Sequence, residues 1–142
     1  MRLVEQRHPS LELALELLAL IRAEAGERGL ALAVCVVDAA GHVVASQRMD
    51  GAALGAMRLA VGKAHTAVSW GTRSGEFMES TQPGGVDWGF NSTDSRVVVY
   101  AGGVPLFVDG QLIGAAAASG GTGEEDEACV TAGARSLRLD QV

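Results

Sequence analysis

Asp109-Gly110 is the dipeptide that most restricts how this chain can fold. Glycine adopts positive φ freely and aspartate tolerates it, so the pair closes a two-residue turn whose twist suits two antiparallel strands. The apolar runs on either side, 104–108 and 112–118, are the strands it joins. A second hairpin is written at 32–47. There the apolar, β-branched run 32–37 leads into Asp38-Ala39-Ala40-Gly41, with Asp first and Gly fourth as a type I turn prefers, and 42–47 returns. Residues 97–100 read as one more strand, antiparallel to its neighbours. The sum is five antiparallel strands, and nothing indicates the crossover helices of a parallel sheet.

Three helices accompany them. From Ser10 to about Ala25, Leu11, Ala14, Leu15, Leu18 and Ile21 fall at helical spacing, with Ser10 as N-cap and Gly26 and Gly29 as the stop. Leu13, Leu17 and Leu20 widen that stripe beyond what one sheet covers, which predicts a homo-oligomer. Residues 55–70 repeat the helical period. Thr122-Gly123-Glu124-Glu125 fits a capping box that opens a helix to about Leu137. Between the second helix and the later strands, 71–95 carries Pro83-Gly84-Gly85 and no regular pattern, so it reads as a long loop. At 142 residues the chain is expected to form one α+β domain over 1–142: a five-stranded antiparallel sheet flanked by helices.

Charge narrows the partners. Eleven Lys and Arg against seventeen Asp and Glu leave −6, the wrong sign for nucleic acid or an anionic membrane surface. No apolar run approaches the roughly 20 residues of a spanning helix, and charge follows Met1-Arg2-Leu3-Val4 where a signal peptide would have its apolar core. The expected compartment is the cytoplasm. Cys35 and Cys129 have no C-x-x-C spacing and read as buried thiols. His8, His42 and His65 have no second ligand at i+3 or i+4, so no metal site built from sequence-local ligands is expected.

Ser119-Gly120-Gly121-Thr122-Gly123 joins a strand to a helix, a place where bare amides often hold phosphate. Glu124, Glu125, Asp126 and Glu127 fill the helix's first turn, however, and repel phosphate from it. Gly71-Thr72-Arg73-Ser74-Gly75 is one residue off the G-x-S-x-G elbow and is rejected as a hydrolase nucleophile. Lys63, the only lysine, has mostly apolar helical neighbours in Leu59, Thr66 and Trp70, which suits an ammonium aimed at a cleft as well as one that reaches solvent. His65 lies on the opposite helical side with Arg58, Gly62 and Ser69, a solvated or subunit-contacting face. Arg48 and Asp50 stand together at a strand end. Gly102-Gly103-Val104-Pro105 interrupts two strands, and Pro105, lacking an N–H, belongs on an edge or bulge.

Five motifs occur in order: Val37-Asp38-x-x-Gly41, Arg48-Met49-Asp50-Gly51-Ala52, Lys63-Ala64-x-Thr66-Ala67, Gly102-Gly103-Val104-Pro105-Leu106, and Ser119-Gly120-Gly121 followed by Glu125-Asp126. From about Leu11 to Leu137 the chain resembles the GlcG/HbpS-like family, which includes the C-terminal domain of PduO-type proteins. The resemblance implies a profilin-like fold, a homo-oligomer, and the haem binding or haem degradation reported for some members. It also implies one pocket, lined by Arg48, Asp50, Lys63, Gly102, Gly103, Pro105, Ser119, Gly120 and Gly121, with Thr66 beside Lys63. In the family an aromatic residue often stands where this chain has His65. For an axial haem ligand, His8, His42, His65 and the methionines compete.

Two functional classes follow, with a structural oligomer partner as a third. The first is a protein that binds a small molecule or haem in that pocket. The second is a cofactor-independent lyase or isomerase, in which Lys63 and Arg48 hold a small anionic substrate and Asp50 or His65 moves a proton.

Overall fold

The computed structural model describes residues 1–141. Its elements run α1 (Leu11–Glu27), β1 (Ala33–Asp38), β2 (Val43–Arg48), α2 (Ala56–Trp70), β3 (Gly103–Val108), β4 (Gln111–Ser119) and α3 (Gly123–Ser136), with 3₁₀ turns at Ser74–Phe77 and Phe90–Ser92. The sheet is antiparallel, in the order β2-β1-β4-β3. Both expected hairpins form. Asp109 (φ 51°) and Gly110 (φ 74°) take the left-handed conformations the β3–β4 turn requires, and the Asp38 carboxylate accepts from the amides of Ala40 and His42.

Period-two alternation splits the sheet into two buried faces. Val34, Val36, Ala116 and Ala118 pack with α1 and α3, while Ala33, Cys35, Val37, Ala115 and Ala117 meet Ala60, Ala64 and Ala67 of α2. Being covered on both sides, β1 is apolar throughout its buried length. Alanine against alanine brings α2 close to the sheet, which later decides how much room Lys63 has. Burial pushes the Cys35 thiol up to about 12, as expected of an inert thiol.

The α+β class holds, with four strands rather than five among the described residues. Residues 97–100 do not join the ladder. The Val98 amide donates to Thr66 Oγ1 (2.9 Å), and the Tyr100 carbonyl accepts from Ser74 Oγ (2.7 Å). This apolar segment is therefore strapped across α2 by side chains that stand in for a neighbouring strand. Helix α1 is correctly placed and capped by Ser10, but its inward face is Ala14, Leu17, Leu18, Ile21 and Ala25. Leu11 and Leu15, expected inside, are exposed and supply the apolar surface that had been assigned to Leu17. The loop after α2 is anchored by Phe77 and Phe90, which pack on Trp70 at centroid distances of 6.3 and 5.6 Å. No helix among the described residues is long and apolar enough to cross a membrane.

Candidate functional site: two recesses flanking helix α2

Lys63 is carried on the inward side of α2 and is 2% exposed. Its ammonium donates to Asp126 Oδ2 at 2.9 Å and to the Ala118 carbonyl at 3.1 Å, and Asp126 is itself 1% exposed. The other Asp126 oxygen accepts from the Gly121 amide at 2.9 Å. One ion pair thus ties α2 to the end of β4, the following turn and the first turn of α3. Gly102 and Gly103 make this possible by being bare. A Cβ on Gly102 would lie 2.8 Å from Lys63 Nζ and 2.6 Å from the Ala118 oxygen, and one on Gly103 would strike the Lys63 carbonyl. Above the pair opens a recess of about 530 Å³ lined by Leu59, Met78, Tyr100, Ser119, Gly121 and Glu124 as well as by Lys63 and Asp126.

On the other side of α2 lies a groove of about 560 Å³. Met57, Leu59, Val61 and Val98 form its apolar part, and Arg58, His65 and Arg96 are its charged or titratable members. His65 Nε2 stands 3.8 Å from Asp94, beyond hydrogen-bond reach, and the Asp94 carboxylate is engaged by Arg96 at 2.8 and 3.0 Å. Burial and then the Arg96 charge lower the proton affinity of His65, with Asp94 opposing them. The imidazole therefore stays neutral further into acid than an ordinary histidine, with Nε2 3.5 Å from Ser69 Oγ.

The residues expected in one pocket are distributed. Lys63, Ser119 and Gly121 do meet in the inner recess, with Gly102 and Gly103 packed behind Lys63. Gly120 sits in the same turn, against the Ala31 carbonyl. Arg48 and Asp50 line a separate open hollow with Arg22. Arg48 pairs with Ala33, and Ala33 with Ser119, so two strand spacings, about 10 Å, separate Arg48 from the recess. Pro105 lies on the edge strand β3 opposite Ala115, where its missing N–H does no harm. Thr66 is buried and bonded to the Gly62 carbonyl and the Val98 amide, a structural tether. Lys63, His65 and the Arg48–Asp50 pair thus stand in three places on this chain. Of the histidines, His8 Nδ1 accepts from the Ala39 amide and His42 is exposed in a turn, whereas His65 lines a recess.

Asp126 was missed as the partner of Lys63. Its signal was available: Asp126, Cys129, Val130 and Gly133 share the buried stripe of α3, so the carboxylate had to face inward and needed a cation. Ser74 and Arg96 carried no comparable signal, because the loop that positions them has no period.

A family model described as haem degrading protein HbpS-like matches residues 10–135. An uncharacterized 15.0 kDa protein from the dhaT-dhaS intergenic region of Citrobacter freundii is 35% identical over 107 residues, covering 75% of each chain. The crystal structure of Klebsiella pneumoniae ORFY superposes with a TM-score of 0.89 at 30% identity, covering 94% of this chain and 93% of that one. A crystal structure of a PduOC haem complex gives a TM-score of 0.85 at 32% identity, covering 88% and 91%. With a family model spanning most of its length, and relatives of 30% identity or more covering most of the chain, the chain belongs to the HbpS-like family.

Proposed function

We propose that this protein binds haem, or a planar apolar ligand bearing carboxylates like it, in the outer groove of α2. The observation that carries this reading is His65, which stands among apolar side chains with Arg58 and Arg96 lining the same groove. The donor set suits the ligand. Apolar side chains receive the ring, guanidinium groups pair with carboxylates in bidentate fashion, and a neutral imidazole is a common axial ligand. The haem complex of a relative with the same fold supports the ligand class. Bound haem would supply the iron and its Soret absorbance. The chain's own residues would pair the carboxylates with Arg58 and Arg96 and present the His65 imidazole, whose proton affinity is lowered first by burial and then by the Arg96 charge.

Hemin titration tests the reading. A saturable Soret band is expected, with its position shifted in His65→Ala and its affinity weakened when Arg58 and Arg96 are both replaced by Ala. Absorbance that never saturates, or a His65→Ala spectrum identical to the parent's, overturns it.

A further inference from the structure

We propose that the recess above the Lys63–Asp126 pair is a second binding site, sharing only Leu59 with the outer groove, that takes an uncharged alcohol or ketone with an apolar body. Ser119 supplies the first reason. It lines the recess at 4% exposure, and its hydroxyl makes no hydrogen bond among the described residues. The hydroxyl is not sealed in: the buried side-chain polar atom left without a partner among the described residues is Gln47 Oε1, whereas the Ser119 hydroxyl opens onto the recess and is a position for a ligand atom.

Lys63 supplies the second. An ammonium has three N–H donors, and the two acceptors found here, Asp126 Oδ2 and the Ala118 carbonyl, leave one. Lys63 and Ser119 line the same recess, and Lys63 Nζ is held to the carbonyl of Ala118, the residue before Ser119. In the proposed complex one carbonyl or hydroxyl oxygen accepts from both Lys63 and Ser119.

Charge sets the class of ligand. The Lys63 cation is balanced by Asp126, so it offers a donor but no net positive charge. Glu124 lines the same recess and brings a negative charge, and the whole chain carries −6. A carboxylate or phosphate ligand would meet repulsion with no compensating cation, whereas a neutral oxygen meets two donors. Leu59, Met78 and Tyr100 form the rest of the wall and fit an apolar body. This reverses the expectation that Lys63 holds an anion, and it stands independently of haem binding.

The test uses the intact protein, with acetophenone as the neutral ketone and benzoate as an anion of similar shape, followed by amide chemical shifts in ¹H–¹⁵N spectra. Acetophenone is expected to give saturable shifts centred on Ser119, Gly121 and Gly123, and benzoate at equal concentration is expected to give none there. Ser119→Ala, which leaves the ion pair and the apolar wall intact, is expected to weaken acetophenone roughly five- to tenfold, the loss of one neutral hydrogen bond. Its melting temperature and its hemin titration should match the parent's. The proposal is overturned if acetophenone produces no saturable shift in this turn, if benzoate binds as tightly, or if Ser119→Ala binds acetophenone as the parent does. None of these outcomes bears on the His65 groove.

Discussion

Lys63 and His65 stand two positions apart on α2, about 200° around the helix, and meet opposite surroundings. Lys63 faces the sheet and is enclosed with a carboxylate that neutralises it. His65 faces the groove, where two arginines and Asp94 remain at the surface and burial lowers the proton affinity of the imidazole. A charge buried with its partner is committed to architecture, because removing either member strands the other in a medium of low dielectric. A charge at the surface is held weakly and can change partners when a ligand arrives. The lone lysine of the chain is therefore chiefly a structural residue with one donor to spare, and the arginines beside the histidine are the mobile cations.

The contrast is sharpest in stability. Lys63→Met leaves Asp126 buried without its cation and is expected to cost about 3–5 kcal/mol, measured by urea denaturation. The double replacement Lys63→Met with Asp126→Leu should recover much of that loss. A single variant as stable as the parent would erase the distinction between the two sides of α2. Next comes Thr66→Val, which keeps the shape but deprives the Val98 amide of its acceptor; a loss of about 1–3 kcal/mol is expected by the same measurement. Deuterium exchange at Val98 should accelerate. Smallest is Asp94→Asn in the groove. Its ion pair with Arg96 is exposed to solvent, and the melting temperature is expected to stay where it was. A marked drop would show that the groove too is built on fixed charge.

Much of this was legible in the sequence, where short-range chemistry fixes geometry. Asp109-Gly110 determined a hairpin, Thr122 and Glu125 a helix start, and Ser10 another, because turn and cap residues act on the backbone a few atoms away. Residues 97–100 were misread for the converse reason. Their side chains satisfy every requirement of a strand, but strand membership depends on where the backbone hydrogen bonds end, and Thr66 and Ser74 claim them from far along the chain. The candidate site divides in the same way. Lys63, Ser119 and Gly121 line one recess, while Arg48 and Asp50, grouped with them by motif order, line another, because motif order carries no information about which hollow a side chain enters. Asp126 was seen only as one of four acidic residues at a helix start, though its helical phase pointed inward.

The two borders of the sheet differ in a way that bears on assembly. Along β3, Pro105 offers no amide hydrogen, and Phe107 exchanges both backbone hydrogen bonds with Asp140, so that margin is largely closed to a further strand. Along β2, no strand among the described residues lies outside Val43–Arg48. A particle with one adhesive border joins a twin through a two-fold axis and then has nothing left to offer. Any extension of the sheet through β2 would therefore stop at a pair, because the open-ended stacking that leads to fibres needs a second border from which to grow.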